Sequence, residues 1–216
     1  MITAIILAGG KGSRFGNEIP KQFLEINNRK IIDYSIQTFS NHNKIDEVIV
    51  VVHSDWIDEI SKEYPNHKII CGGETRRDSS FAGLNACNPK TDKVLIHDSA
   101  RPFVSNEIIA NCVDALQNYK AITTAIPLVD TIVKVEDNII SDMPNRANLL
   151  AVQTPQGFHF KTIKSAHQNY TGDTTDDIRL VMSQNMESAI VEGSEFNFKI
   201  TTETDLRKAK MIVNNL

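Results

Sequence analysis

The sequence TAIILAGGKGSRFGNEIPKQ, residues 3–22, is the most informative segment of this chain about its fold class. It begins with a short apolar run, Thr3–Leu7, which is typical of a strand buried in a sheet. The run then leads into a segment with glycines at positions 9, 10, 12 and 16. A buried strand followed directly by a glycine-rich loop indicates an α/β sheet that binds its ligand at the carboxyl ends of its strands.

The rest of the chain repeats this alternation of strand and helix patterns. Because strands that alternate with amphipathic helices are the signature of βαβ units, we predict a doubly wound, mostly parallel α/β sheet. We expect residues 1–216 to form a single domain of this Rossmann-like kind. The other predicted strands are Glu47–Val52, Lys68–Cys71, Lys93–His97 and Ile122–Ile126. The predicted helices are Ile31–Phe39, Trp56–Lys62, Arg77–Ala86 and Glu107–Leu116.

One segment departs from the alternation. Thr131–Val135, a polar turn at residues 136–138, and Ile139–Asp142 together predict a β-hairpin. A lone two-stranded ribbon is only marginally stable in water. We therefore expect residues 131–142 to pack against another surface, for which a partner subunit is the natural candidate.

Composition excludes several classes of protein. Of the 216 residues, 41% are hydrophobic and 23% are charged, which is ordinary for a globular protein and excludes disordered, collagen-like and coiled-coil chains. No apolar run is long enough to predict a membrane span, and the first residues do not read as a signal peptide. The net charge of −4 disfavours a nucleic-acid partner.

The cysteines and histidines give expectations about compartment and metals. Cys71, Cys87 and Cys112 are widely spaced, which predicts reduced, buried thiols in a cytoplasmic protein. No pair of histidines has metal-ligand spacing, so we expect neither zinc nor protein residues dedicated to a metal. His97, at the end of a buried strand, is expected to point into the core.

The glycine-rich loop fits one of three known patterns. The dinucleotide fingerprint GxGxxG would need a glycine where Phe15 stands, and the P-loop motif GxxxxGK[ST] is absent. The pattern LAGGxGxRxxxxxPKQ, with which sugar-phosphate nucleotidyltransferases open, matches completely. Glycines allow close approach of a phosphate, and Arg14 and Lys21 add positive charge on the same excursion.

Further motifs in the same order extend this resemblance over nearly the whole chain. The chain resembles the 2-C-methyl-D-erythritol 4-phosphate cytidylyltransferases of isoprenoid biosynthesis, and it shares most of these motifs with the ribitol-5-phosphate cytidylyltransferases. The motifs are GGETRRDS (72–79), HDSARP (97–102), Asp130-Thr131, Arg146 eight residues before Thr154-Pro155-Gln156, TDD (175–177) and NFKIT (197–201).

The resemblance implies a reaction and a role for each matching residue. A phosphate oxygen of the polyol phosphate would attack the α-phosphorus of CTP, with pyrophosphate as the leaving group and Mg²⁺ arriving on the CTP phosphates. The implied catalytic residues are Arg14, Lys21 and Lys199. The implied nucleotide-binding residues are Ala8, Gly9, Gly10, Gly12, Gly73, Ser79, Asp98 and Ser99. The implied acceptor-binding residues are Arg101, Thr131, Arg146, Thr154 and Thr175. The resemblance also implies a homodimer with composite sites, in which the hairpin at residues 131–142 is a dimerisation arm and the neighbouring subunit supplies some of these residues.

Several alternatives remain open from the sequence. Residues 153–158 and the TDD motif favour methylerythritol phosphate as the acceptor, whereas Ile132-Val133 and Met143-Pro144 look more like the ribitol enzymes. An NAD-dependent oxidoreductase would need an acidic residue after the second strand, where Asp55 is the nearest candidate. A non-catalytic nucleotide-binding module does not account for both Lys21 and Lys199. One of Arg76 and Arg77 is expected to form a structural ion pair.

Overall fold

The computed structural model describes residues 1–10, 19–172 and 174–214. Its strands are β1 (Ile2–Ala8), β2 (Glu25–Ile26), β3 (Arg29–Lys30), β4 (Glu47–Val52), β5 (Lys68–Cys71), β6 (Lys93–Asp98), β7 (Ala121–Pro127), β8 (Lys134–Glu136), β9 (Ile139–Asp142), β10 (Leu150–His159) and β11 (Ala189–Glu192). Its α-helices are α1 (Ile31–Ser40), α2 (Ile57–Glu63), α3 (Arg76–Ala86), α4 (Asn106–Ala115), α5 (Phe160–Asn169), α6 (Asp177–Met182) and α7 (Glu203–Asn214).

Across the described ranges, seven strands form the main sheet, in the order β11-β7-β10-β6-β1-β4-β5. Strand β1 pairs in parallel with both β4 and β6, and β4 pairs in parallel with β5. Strand β10 is the exception, because it runs antiparallel to both of its neighbours, β6 and β7. The predicted mostly parallel α/β sheet is confirmed.

Helices cover both faces of this sheet, as the alternation of side chains along β1 shows. Ala4, Ile6 and Ala8 belong to one core cluster, together with apolar side chains of α1, α2 and α4. Ile5 and Leu7 belong to the other cluster, with side chains of α3, α5 and α6. Because successive residues of a strand point to opposite faces, both cores are built on the same central strands. The sheet is therefore doubly wound.

The chain changes direction within the sheet beside β1. From β1 it moves outward through β4 to β5, and then α3 carries it back to β6 on the other side of β1. The carboxyl ends of β1 and β6 thus flank the point at which the strand order reverses. Open α/β sheets bind their ligands in the crevice at such a point.

Predicted and observed elements agree closely where the pattern is regular. The strands 47–52 and 68–71 have the predicted bounds, and the other predicted strands of the sheet differ by one residue at each end or less. The predicted helix Trp56–Lys62 begins at Ile57, after a 3₁₀ turn at Ser54–Trp56. Sequence reasoning did not predict β10, β11, α5, α6 and α7.

The hairpin is confirmed, but its first strand is shorter than predicted. It begins at Lys134 rather than Thr131, and its turn is formed by Asp137 and Asn138, whose φ values are 49° and 63°. Two successive left-handed residues give the tight connection that suits the twist of a hairpin. All residues of β8 and β9 are exposed.

The prediction that the cysteines are buried is wrong for Cys71. Cys112 is buried and Cys87 is partly buried, and burial raises the pKa of both thiols to about 12. Cys71 is exposed because it ends β5, which lies at one edge of the sheet.

Candidate active site

A cavity of about 500 Å³ lies at the carboxyl ends of β1 and β6, at the switch point of the sheet. This volume lies within the usual range for small-molecule sites. Most of the predicted site residues line it, although they come from distant parts of the sequence. They are Ala8, Gly9, Gly10, Lys21, Gly73, Ser79, Asp98, Ser99, Thr175 and Lys199.

A buried glutamine fixes the start of the glycine-rich loop. The side chain of Gln22 donates from Nε2 to the carbonyl oxygens of Ala8 (2.6 Å) and Gly10 (2.9 Å). Since Gln22 is only 2% exposed, these bonds are shielded from water. Sequence reasoning assigned no role to Gln22, although the residue closes the PKQ motif.

Two glycines allow the loops around the cavity to approach α3. A Cβ atom on Gly73 would lie 2.2 Å from Cβ of Asp78, and one on Gly9 would lie 3.1 Å from Oγ of Ser79. The side chain of Thr75 caps the helix by accepting a hydrogen bond from the Asp78 N–H. The side chain of Asp78 in turn accepts one from the Thr75 N–H. Gly73 is therefore required by packing against the first turn of α3, whatever it does for a ligand.

Asp98 is the buried anion of the cavity and lies between two cations. Its Oδ1 accepts from Nε of Arg76 (3.1 Å), and its Oδ2 accepts from Nζ of Lys199 (2.7 Å). Burial alone would raise the pKa of Asp98, but Arg76 and Lys199 hold that pKa well below its usual range. Asp98 is thus ionised at any physiological pH.

Arg76 forms the structural ion pair expected of one of the two adjacent arginines. Its Nη1 donates to Oδ2 of Asp177 at 2.6 Å, in addition to the bond from Nε to Asp98. Burial opposes the charged form, but the two carboxylates raise the pKa of Arg76 above its ordinary value. The neighbouring Arg77 instead donates to backbone carbonyls at the end of α5 and beyond it.

His97 and Thr154 hold the backbone next to Asp98. Nε2 of His97 lies 3.0 Å from the carbonyl oxygen of Arg101, so this nitrogen carries the proton and donates. The Thr154 hydroxyl can then donate to Nδ1 of His97 while it accepts from the Asp98 N–H. Burial lowers the pKa of His97 to about 4, so the ring is neutral at physiological pH. The expectation that His97 points into the core is confirmed.

The remaining predicted acceptor residues do not line this cavity. Arg101 donates from Nη1 to the carbonyl oxygen of Asn197 at 2.8 Å, and Thr154 is buried in the contacts just described. Thr131 and Arg146 are exposed on either side of the hairpin, where Arg146 donates to the carbonyl of Val129. Two further predicted residues, Gly12 and Arg14, lie outside the described residues.

The described residues hold neither a cluster of metal ligands nor a membrane-spanning helix. No group of three or more His, Cys, Asp or Glu side chains in these ranges could hold a metal ion. None of the helices described is long and apolar enough to cross a bilayer.

What the cavity presents to a ligand suits a nucleoside polyphosphate. Its glycines leave room for phosphate oxygens, and Lys21 and Lys199 bring two ammonium groups to the same space. Positioning and charge stabilisation of this kind are what a phosphoryl-transfer enzyme must supply. The fold and the cavity together define a nucleotidyltransferase.

Comparisons with known proteins give the particular family. The family profile described as 2-C-methyl-D-erythritol 4-phosphate cytidylyltransferase matches residues 2–215. A protein of that name from Clostridium perfringens (strain SM101) is 40% identical over 222 residues, covering 98% of each chain. One from Clostridium botulinum (strain 657) is 38% identical and covers 99% of this chain and 98% of its own. The chain therefore belongs to the 2-C-methyl-D-erythritol 4-phosphate cytidylyltransferase family.

Solved structures agree with this assignment. The crystal structure of 4-diphosphocytidyl-2C-methyl-D-erythritol synthase from Anaerococcus prevotii superposes with a TM-score of 0.89 at 31% identity, covering 99% of this chain and 96% of that one. The 2-C-methyl-D-erythritol 4-phosphate cytidylyltransferase from Thermus thermophilus superposes with a TM-score of 0.83 at 28% identity, covering 97% of this chain and 98% of that one.

Proposed function

We propose that the cavity between β1 and β6 is the site at which CTP is condensed with 2-C-methyl-D-erythritol 4-phosphate. Family membership makes this chain a cytidylyltransferase of isoprenoid biosynthesis. A phosphate oxygen of the acceptor forms a bond to the α-phosphorus, the bond to the β-phosphate oxygen breaks, and pyrophosphate leaves. The observation that carries the proposal is that Lys21 and Lys199, far apart in sequence, line one cavity with Gly9 and Gly10.

The CTP half of the site is built from the cavity residues. Ser79 and the backbone of Gly73 and Ala8 would contact the cytosine, while Asp98 and Ser99 would hold the ribose. The glycines at 9, 10 and 12 would contact the nucleotide through their backbone. Lys21 and Arg14 would stabilise the charge that accumulates on the α-phosphate in the transition state, where preorganised cations are most effective.

Lys199 must exchange partners when CTP enters. In the structure its Nζ is bound to Oδ2 of Asp98. A triphosphate carries more negative charge than one carboxylate, so Lys199 should turn towards it. This movement leaves Oδ2 of Asp98 as an acceptor for a ribose hydroxyl. The ion pair therefore keeps both side chains near their positions until the substrate replaces it.

Mg²⁺ fits this cavity as an ion brought by CTP rather than as a resident metal. Among the described residues, the carboxylates that line the cavity are Asp98 and Glu74, and Asp98 already accepts from two cations. Mg²⁺ in phosphoryl-transfer sites is commonly held by one or two carboxylates together with substrate phosphates, and it neutralises phosphate charge there. Tight Mg²⁺ binding in calorimetry without CTP would contradict this part of the proposal.

We further propose that the catalytic unit is a homodimer in which the hairpin, residues 131–142, is the dimerisation arm. Ile139 and Ile140 are 71% and 60% exposed, and Val135 is 52% exposed, so the arm presents apolar surface that a partner would cover. A second copy of the chain is the simplest partner, because two-fold dimers are the commonest oligomers. Thr131 and Arg146 would then complete the acceptor site of the other subunit. The compartment we propose is the cytoplasm.

Pyrophosphate release tests the function directly. The protein is mixed with CTP and Mg²⁺ and with either 2-C-methyl-D-erythritol 4-phosphate or D-ribitol 5-phosphate. We expect rapid release with the methylerythritol substrate and release at least about tenfold slower with ribitol phosphate, since small differences in a pocket are worth roughly that factor or more. Equal or faster release with ribitol phosphate would contradict the assignment of methylerythritol phosphate as the acceptor. Binding of NADH without release from either acceptor would overturn the proposal.

A further inference from the structure

Arg76 links the nucleotide cavity to a buried carboxylate outside it. Arg76 itself lines the cavity, and its Nε donates to Asp98, which also lines it, while its Nη1 donates to Asp177. The third nitrogen, Nη2, is buried and has no hydrogen-bond partner among the described residues. Asp98 and Asp177 are therefore the two groups that fix the orientation of this guanidinium.

Asp177 is itself held firmly. It is the first residue of α6 and is 1% exposed. Its Oδ1 accepts from the hydroxyl of Ser80 (2.6 Å) and from Nε2 of His167 (3.1 Å), and its Oδ2 accepts from Arg76. Ser80 lies on α3 and His167 on α5, so three helices meet at this carboxylate. Such a buried and fully bonded anion is a rigid anchor.

The adjacent Arg77 shows what a purely structural arginine does here. Its guanidinium donates to the carbonyl oxygens of His167 (3.0 Å), Tyr170 (2.6 Å) and Gly172 (2.6 Å). These contacts tie α3 to the end of α5 and make none with Asp98. Arg76 and Arg77 thus make similar numbers of hydrogen bonds. They differ because Arg76 lines the cavity and bonds to Asp98, whereas Arg77 does neither.

We propose that Asp177 and Arg76 are positioning residues for the nucleotide: Asp177 orients Arg76, and Arg76 holds Asp98 against the ribose when Lys199 moves to the triphosphate. The inference rests on the proposed function, which assigns the ribose contact to Asp98. Asp98 has two cationic partners in the structure. If Lys199 follows the phosphates, Arg76 is the remaining cation among the described residues that is bonded to this carboxylate and can keep it from turning away. Neither Asp177 nor Arg76 then needs to touch CTP to affect its binding.

The test compares Asp177→Asn and Arg76→Lys with the control Arg77→Lys. Asn keeps the shape of Asp177 without its charge. Lys keeps the charge of Arg76 but lacks the planar guanidinium that donates to two carboxylates at once. We expect both variants to raise the KM and the dissociation constant for CTP by about tenfold, with kcat changed less than about threefold, because a charged hydrogen bond of this kind is worth roughly one factor of ten. The control should lower the melting temperature and leave the KM for CTP unchanged.

A double-mutant cycle with Asp98→Asn separates positioning from direct contact. If Asp177 and Arg76 act through Asp98, each substitution should change CTP affinity less than about twofold in the Asp98→Asn background. Full additivity would overturn the inference, as would an Arg77→Lys effect on CTP equal to that of Arg76→Lys. If Asp177→Asn does not fold, the cycle with Arg76→Lys decides alone. An inactive wild-type protein would refute the proposed function, whereas an active one with additive effects refutes only this inference.

Discussion

The cavity at the carboxyl ends of β1 and β6 and the hairpin region are built in opposite ways. Around the cavity, Asp98 is 8% exposed and bound by two cations, and the buried Gln22 donates to the carbonyl oxygens of Ala8 and Gly10. Around the hairpin, Thr131 and Arg146 are exposed, as are all residues of β8 and β9. The cavity is preorganised by contacts within one chain, whereas the polar side chains of the hairpin region are exposed to solvent.

This difference suits a site in which folding of one chain positions the proposed CTP-binding groups and dimer formation positions the proposed acceptor-binding groups. Binding of CTP can rely on groups that the folded chain already holds in place, which lowers the cost of ordering them. Thr131 and Arg146, which we propose to bind the acceptor, are exposed near the hairpin, and we propose that the partner subunit orders them. We therefore expect substitutions in the two regions to have separable effects on the two substrates.

The largest effect should come from Lys21→Ala, in the preorganised region. We expect kcat to fall at least about 100-fold, since loss of one group that stabilises transition-state charge commonly costs this much. The melting temperature should change little. The control is Lys44→Ala, which removes a lysine paired with Asp114 on the surface. Near-normal turnover by Lys21→Ala would remove Lys21 from the catalytic role.

A smaller and more selective effect is expected from Arg146→Ala, in the hairpin region. The KM for the methylerythritol substrate should rise about tenfold or more, because a charge-assisted contact with its phosphate is lost. Affinity for CTP should stay within about twofold in calorimetry, since the substitution leaves the cavity unchanged. Lys134→Ala is the matched control, because Lys134 is a cation on the adjacent hairpin and pairs with exposed Glu136. Weakened CTP binding by Arg146→Ala would contradict the expectation that the two regions affect the two substrates separately.

The two regions also differ in how well sequence predicts them. The hairpin follows from alternating residues around a polar turn, and the parallel strands from their apolar runs. β10 was missed because LAVQTPQGFH contains Pro155 and polar residues, and proline argues against a central strand. The structure accommodates it where the pairing of β10 with β7 shifts register, between Val152 and Gln156.

The site residues show the same limit of sequence reasoning. Motifs indicated Asp98 and Lys199, which lie 101 positions apart, and the fold brings them within 2.7 Å. Motifs did not indicate that Thr154 would be buried beneath Asp98, or that Asp177 would be bonded to Arg76. Those roles depend on which helices pack together, and that is a property of the tertiary structure.

The protein should become less stable towards unfolding in acid because of buried His97, which holds the backbone next to Asp98. Burial lowers its pKa to about 4 from 6.5, so the unfolded chain takes up this proton first as the pH falls. The corresponding stability is present above pH 6.5 and is lost as the pH falls to about 4, by on the order of 3 kcal/mol.

Chemical denaturation across this pH window measures the effect. The variant His97→Gln should show a flatter dependence of unfolding free energy on pH than the wild type, although it is less stable at neutral pH. His159→Gln is the control, because His159 makes one bond to the carbonyl of Leu116 and lies away from Asp98. An unchanged slope in His97→Gln would show that another group carries the acid sensitivity.

The smallest effect concerns the thiols. Exposed Cys71 should react with a thiol reagent within minutes in the native protein, while Cys87 and Cys112 should react only on unfolding, because burial keeps them inaccessible and protonated. Cys71→Ser should remove the fast phase and leave turnover almost unchanged. A fast phase that persists in Cys71→Ser would contradict the exposure of this edge of the sheet.

Subunit mixing tests most directly the claim that one chain builds the CTP half and its partner completes the acceptor half. Lys21→Ala and Arg146→Ala, each weakly active when the acceptor is limiting, are combined and allowed to exchange subunits. Both lesions can then fall in one site of the mixed dimer and leave the other intact, so activity should recover to about a quarter of the wild type after random exchange. Confirmed exchange without recovery would place Arg146 in the same subunit's site as Lys21, and a fully active monomer in light scattering would equally contradict the account.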